Sequence, residues 1–306
     1  MIEITLPGTG GMLPLPLRFL TCLFASFEGG SVMIDCGECT QVALRKADCR
    51  VSRLSLLLIT HIHADHIAGL AGLCLTLNNA GKTSPLVIYG PRGLSAVVSS
   101  LLCIARGLSF PVEVRELGGG DGSFNFTFDS ERRQTISVSY LPLRHGIPCY
   151  GYRLSLSRLP VFDPAAAKAL EIPVRFYKVL HGGQSVTLED GRVIEPQMVL
   201  TGDRKPLSVC YFTDTLPFPA LSDFARDADL LISEGMYGDE TMRESVSEKK
   251  HMMFADSAKT AKSANVKALW LTHYSPALPN PKQYIGNAQK IFKNTTAAYD
   301  GIRTTL

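Results

Sequence analysis

The segment THIHADH, residues 60–66, sets His61, His63, Asp65 and His66 within six positions, directly after the apolar run LLLI. The chain has 7 histidines in all, so three of them in one turn is far from an even scatter. Imidazole and carboxylate are the donors that borderline divalent cations such as zinc take from a protein. His61 and His63, two apart, fall on one side of an extended segment. Asp65 and His66 then open a helical pattern, DHIAGLAGLCLTL, with Asp65 well placed against the positive end of the helix dipole. A strand running into a helix through such a turn aims four side chains into one space.

Three further residues share this placement. His145 ends ISVSYLPLRH, Asp214 ends SVCYFTD and His273 ends KALWLTH, each a polar residue closing an apolar, strand-like run. In layered α/β folds the carboxyl ends of the strands are where sites assemble. Seven candidate ligands are too many for one tetrahedral ion and suit two ions sharing a carboxylate. The expected assignment is His61, His63 and His145 on one ion, Asp65, His66 and His273 on the other, and Asp214 between them. Sites of this kind hold their ions roughly 3.5–4 Å apart with a hydroxide nucleophile between. Two zinc ions per chain are expected; manganese or iron would suit the same ligands.

The elements that must position these groups alternate in type. IEITLPG, SVMIDCG, LSLLLITH and PLVIYG read as strands. Helical patterns follow at about 66–79 and 92–105. A β-rich stretch covers about 111–155, and βα alternation resumes with SVCYFTD, ADLLISEG, KALWLTH and a last helix near 281–293. This is the pattern of an α/β layered fold with helices on the outer faces. Residues 155–205 break the rhythm with Gly182, Gly183, Gly191 and two short helical stretches, DPAAAKALEI and VRFYKVL. They read as an arm inserted into one hydrolase domain spanning 1–306, with His181 an ordinary surface residue of that arm. MLPLPLRFLTCLFASFEGG reads as a strand pair of the folded domain.

At 306 residues and 45% apolar composition the chain can bury a substantial core. Its net charge is +3, which excludes a global basic field, so any RNA contact must be local. No apolar run reaches membrane-spanning length. Of 8 cysteines only Cys36 and Cys39 form a CxxC, without a fourth zinc ligand at suitable spacing. They read as small buried residues of a protein in the reducing cytoplasm.

HxHxDH followed by isolated His, Asp and His resembles the metallo-β-lactamase superfamily. Within it the chain resembles the ribonuclease Z family of tRNA 3′-processing endonucleases. The similarity runs through LPGTGG, IDCGECTQ (34–41), PLVIYGPRGL (85–94), HGIPCYGYRL (145–154), VTLEDGRVI (186–194) and LTHYSPAL (271–278). The resemblance implies a four-layer αβ/βα sandwich and a zinc-dependent phosphodiesterase, usually a homodimer, whose arm clamps a tRNA precursor. It also implies a proton donor: Glu234, in LLISEGMYG, paired with His251, in EKKHMMFADSA. A metal-held hydroxide, oriented by Asp65, would attack the phosphorus at the tRNA 3′ end while His251 protonates the leaving oxygen. Three stretches depart from the family pattern. PLPLRF (14–19) stands for PxKxRN, His251-Met252-Met253 for His-Ser-Thr, and IPVRFYKVL for the glycine-proline motif of the arm. The competing expectations are a related phosphodiesterase acting on another nucleotide or small diester, and a metal-containing RNA-binding protein without turnover.

Overall fold

The computed structural model describes residues 1–128 and 134–306. The chain opens with β1 (Glu3–Gly8), β2 (Cys22–Ser26), β3 (Ser31–Ile34) and helix α1 (Thr40–Lys46). β4 (Leu54–Leu58), α2 (Ala64–Ile67), α3 (Leu70–Asn79), β5 (Leu86–Gly90), α4 (Leu94–Leu102) and β6 (Val112–Glu116) follow. Next come β7 (Gly122–Thr127), β8 (Thr135–Pro142) and β9 (Tyr150–Leu156).

Residues Leu156–Leu207 then form a compact unit of their own. It contains β10 (Val161–Phe162), α5 (Pro164–Ala169), α6 (Tyr177–His181), β11 (Val186–Thr187), β12 (Val193–Ile194) and β13 (Leu200–Thr201). β10 pairs with β13 and β11 with β12, over a small core that includes Ala167, Leu180, Ile194 and Val199. His181 is half-buried here, 3.0 Å from the Pro160 carbonyl, and so is tied in rather than a free surface residue.

The remaining elements are β14 (Leu207–Phe212), α7 (Pro219–Phe224), β15 (Leu230–Glu234), α8 (Arg243–Glu248), α9 (Phe254–Ser263), β16 (Leu269–Thr272), α10 (Ile285–Gln289), β17 (Thr295–Ala297) and β18 (Ile302–Thr305). Apart from the Leu156–Leu207 unit, the strands make two seven-stranded sheets, in the orders β18-β1-β2-β3-β4-β5-β6 and β17-β16-β15-β14-β9-β8-β7. β3 to β6 run parallel, as do β14 to β17. These parallel strands need crossovers, and the helices supply them.

Helices α1, α3 and α4 cover the first sheet, with Leu44, Leu70, Leu73, Leu94 and Val98 packed on Met33, Leu57 and Ile88. The α3 residues that bury, Leu70, Ala71, Leu73, Cys74 and Leu77, follow the spacing of one helical face. On the second sheet, Leu221, Phe254, Ala258 and Ala288 pack on Cys210, Leu231 and Leu271. The sheets meet through their other faces: Thr21 Oγ1 lies 2.7 Å from Thr272 Oγ1, and the Tyr152 hydroxyl donates to the Ile59 carbonyl at 2.7 Å. β3 and β4 are buried on both faces, which is why they read as near-continuous apolar runs.

Two local expectations change. The helix expected over 66–79 breaks at Gly69. A Cβ there would meet the Gly37 carbonyl oxygen at 1.9 Å, and one on Gly37 would meet the Asp65 oxygen at 2.0 Å. The two glycines let the β3 and β4 connections touch backbone to backbone. The strand pair expected in MLPLPLRFLTCLFASFEGG is a single strand, β2, preceded by a loop. Pro14 and Pro16 lack the N–H that a ladder would use. Among the described residues no helix is long and apolar enough to cross a membrane.

Candidate metal centre

Every group singled out above except His251 lies at or soon after the carboxyl end of a strand. His61 and His63 follow β4, Asp65 and His66 lie in α2, and Asp214 follows β14. His273 follows β16, and Glu234 ends β15. His145 sits three residues past β8, in the β8–β9 connection, and His251 precedes α9. Asp214 and His273 adopt left-handed backbone conformations, with φ of 52° and 58°. That conformation turns the chain back at once and costs a non-glycine residue roughly 1 kcal/mol or more.

The side chains converge in three overlapping groups, one of which joins Asp214, Glu234, His251 and His273. His61, His63, His145 and Asp214 bring one ligand atom each within 4.8 Å of one another, and so do Asp65, His66 and His273. Asp214 faces both. Its Oδ2 lies 3.6 Å from His61 Nε2 and 3.9 Å from His145 Nε2, while its Oδ1 lies 3.5 Å from His66 Nε2 and 3.2 Å from His273 Nε2. In the first cluster His63 offers Nδ1, 3.0 Å from His61 Nε2 and 3.4 Å from His145 Nε2. In the second, Asp65 Oδ2 stands 3.4 Å from His66 Nε2 and 3.6 Å from His273 Nε2. The Met12 N–H donates to that same Asp65 oxygen at 2.8 Å, which fixes the carboxylate.

A cation fits this arrangement. His66 Nε2, Asp214 Oδ1 and both ring nitrogens of His273 are buried side-chain atoms without a hydrogen-bond partner. Each such atom costs roughly 1–3 kcal/mol if nothing satisfies it. The donors are nitrogen and oxygen only, the set that suits zinc, manganese or iron. Burial, with the neighbouring imidazoles, pushes His61 well down, and burial pushes His145 down to about 4, so both rings are neutral and keep a lone pair. Burial works against the Asp65 and Asp214 carboxylates, yet the surrounding imidazoles hold both well below the usual carboxylate range. His66 is opposed by burial but raised by Asp35, Asp214 and Asp65.

Asp35 and Thr60 were not among the residues singled out from the sequence, and both belong to the centre. Asp35, at φ 64° just after β3, accepts from Thr60 N–H at 2.8 Å and from Thr60 Oγ1 at 2.9 Å. Its Oδ2 accepts from His66 Nδ1 at 2.8 Å. Thr60 Oγ1 is also 3.0 Å from His61 Nδ1. One carboxylate and one hydroxyl thus hold the far nitrogens of a histidine from each cluster and turn both Nε2 atoms inward. The sequence carried a signal for Asp35: SVMID closes an apolar run on a carboxylate as SVCYFTD does.

Glu234 is fully buried. Its Oε1 accepts from Thr215 N–H at 2.6 Å and its Oε2 from His251 Nδ1 at 2.8 Å. Both Glu234 oxygens are thus engaged, one on the Thr215 backbone and one on the His251 ring. Burial opposes the His251 imidazolium, but the Glu234 carboxylate outweighs it and pushes the ring up to about 9. A cavity of about 590 Å³ is lined by His63, Asp65, His145, Asp214, His251 and His273, together with Met12, Lys249 and Lys250.

Two facing sheets with helices outside, and a His/Asp centre at their strand ends, define the metallo-β-lactamase fold. Solved structures agree: the short form of human tRNase Z matches with a TM-score of 0.69 at 23% identity, over 99% of this chain and 98% of that one. The metallo-β-lactamase fold protein YhfI from Bacillus subtilis matches with a TM-score of 0.65 at 18% identity, over 99% and 98%. The family model described as anti-Pycsar protein Apyc1 matches residues 2–102, a stretch that includes the HxHxDH turn. Among curated relatives, the ribonuclease Z of Lachnospira eligens is 42% identical over 98% of this chain and 96% of its own length. That of Clostridium acetobutylicum is 41% identical, again over 98% and 96%. The chain belongs to the ribonuclease Z family and is a metal-dependent hydrolase of the nuclease type.

Proposed function

We propose that this protein is an endoribonuclease that cleaves tRNA precursors at the 3′ end with two divalent cations, zinc in the first place. His61, His63 and His145 would hold one, Asp65, His66 and His273 the other, and Asp214 would bridge them. The observation that carries this reading is Asp214, whose two carboxylate oxygens face opposite nitrogen clusters at 3.2–3.9 Å. Bound there, the cations would neutralise phosphoryl charge and supply an ionisable water near neutral pH.

The chain's own groups do the rest. Asp65, fixed by the Met12 N–H, orients the attacking water. Glu234 keeps the proton of the neutral His251 ring on Nδ1 and, when the ring is charged, stabilises the second proton that Nε2 can deliver. The leaving 3′ oxygen of a ribose is strongly basic and departs slowly without that proton. The Leu156–Leu207 unit, with Arg158, Lys168, Arg175, Lys178 and Arg192, is assigned to holding the RNA. A cytoplasmic homodimer belongs to the same reading.

A second reading, a phosphodiesterase on another nucleotide or small diester, draws on the loop before β2. There Pro16 and Phe19 stand where the family pattern carries Lys and Asn, and the neighbouring Met12, Leu13 and Leu17 are exposed apolar side chains. Turnover of a tRNA precursor with a 3′ trailer, compared with bis(p-nitrophenyl) phosphate, decides. Cleavage of both supports the first reading, the diester alone supports the second, and neither leaves an RNA-binding protein.

A further inference from the structure

The two halves of the centre are built differently. Asp65 and His66 ride on α2, and His66 is anchored from behind by Asp35. His61 and His63 leave β4 directly. The His145 ring has no such support, its Nδ1 being buried without a hydrogen-bond partner among the described residues: it lies in the β8–β9 connection, between residues Leu143 and Cys149 that close it by a Leu143 N–H to Cys149 carbonyl bond at 2.8 Å. This connection is tied to its surroundings by Lys250 Nζ, which donates to the His145 carbonyl at 3.3 Å, by Cys149 Sγ, which donates to the Thr213 carbonyl at 3.9 Å, and by Arg144, which meets the strand end that carries Asp214. The Arg144 N–H donates to Thr215 Oγ1 at 3.0 Å, and the Leu216 N–H donates to the Arg144 carbonyl at 3.0 Å. The Thr215 hydroxyl completes its own bonding by donating to the Leu216 carbonyl at 2.9 Å. Thr215 is fully buried and follows Asp214 directly.

We infer that the Thr215 hydroxyl is a positioning group that keeps His145 in register with Asp214. It thereby sets the metal affinity of the His61/His63/His145 half without setting that of the Asp65/His66/His273 half. The backbone N–H of Thr215 has a separate task, holding Glu234 Oε1 at 2.6 Å. A side-chain substitution leaves that N–H in place, so the hydroxyl can be tested apart from the Glu234–His251 pair. Valine has the shape of threonine and neither accepts from Arg144 nor donates to Leu216. Serine keeps both bonds.

This inference rests on the two-ion reading. The experiment titrates the metal-free full-length protein with Zn²⁺ against a competing chelator. Wild type should show two sites. Thr215→Val should weaken one of them by roughly 10–100-fold, the range for groups that orient ligands, and leave the other within about twofold. Thr215→Ser should restore the wild-type curve. In a His63→Ala background, where one half is already disabled, Thr215→Val should add nothing to the affinity of the remaining half. Thermal unfolding of each metal-free variant monitors the fold, and Thr215→Ala, judged by the same curves, replaces valine if valine does not fold. Equal weakening of both sites, or no change in either, overturns the inference. A wild type that binds fewer than two ions overturns the two-ion reading itself and the inference with it.

Discussion

Asp35→Asn separates the shape of the metal centre from its proton arrangement. Asparagine tolerates the left-handed conformation that Asp35 adopts at φ 64° better than most residues. Its amide oxygen can keep the Thr60 N–H bond, now 2.8 Å. The amide nitrogen must then face His66 Nδ1, which Asp35 now meets at 2.8 Å. Two N–H groups cannot bond each other, so His66 moves its proton to Nε2, the atom that faces Asp214 and would face the proposed second ion. Binding a cation then requires returning that proton and giving up the new bond. A hydrogen bond to a charged group contributes roughly 1.5–3 kcal/mol, which converts to a loss of roughly 10–100-fold in affinity at that half. The fold should survive. Asp35→Ala should not fare so well, because Thr60 N–H and His66 Nδ1–H would both be buried without an acceptor, at roughly 1–3 kcal/mol each. Zn²⁺ titration with a chelator, alongside thermal unfolding of the metal-free forms, reads both effects. An Asp35→Asn protein with unchanged affinity at both sites would refute the claim that Asp35 sets the His66 tautomer.

Asp214→Ala should abolish both metal sites together; elemental analysis showing either ion retained at wild-type affinity would mean that Asp214 is not shared. His251→Ala should slow RNA cleavage by about 10²-fold or more while p-nitrophenyl diester hydrolysis falls much less, because p-nitrophenolate leaves without a proton. Metal content should hold, and equal loss on both substrates would remove His251 from the proton-donor role. The pH dependence has a definite sign. The folded pKa of His251, about 9, lies above the ordinary 6.5, so its pairing with Glu234 stabilises fully below about pH 6.5 and is lost as pH rises through about 9. At 1.36 kcal/mol per unit the pair contributes up to about 3 kcal/mol. Metal-free Glu234→Gln should therefore melt well below wild type at about pH 6 and close to it above about pH 9.5, and a deficit independent of pH would contradict this.

Most of the candidate ligands are legible because histidine is scarce and because His145, Asp214 and His273 each close an apolar run. Those two facts alone point to His61, His63, His145, Asp214 and His273, and the structure brings all of them together. Asp35 closes such a run too, but a single carboxylate after a strand is common enough to pass unnoticed. Thr60 and Thr215 act through a hydroxyl against groups that only the packing of neighbouring strand ends brings near, so no spacing announces them. Glu234 and His251 stand 17 residues apart on separate elements, and only the family resemblance joined them. The helix over 66–79 was read through Gly69 because the Gly37 carbonyl that forbids a side chain there belongs to another connection.

The ligand clusters draw on both sheets. His61, His63, Asp65 and His66 follow the β4 strand of the first sheet, while His145, Asp214 and His273 follow strands of the second. Ions held between them would act as reversible cross-links between sequence-distant parts of the chain. A disulfide joins such parts according to redox potential, but these links would answer to free metal concentration. At a free ion level a hundredfold above the dissociation constant, each site adds about 2.7 kcal/mol to the folded state. The grip of one sheet on the other would then rise and fall with the metal supply, so that starvation loosens the fold as well as silencing its chemistry.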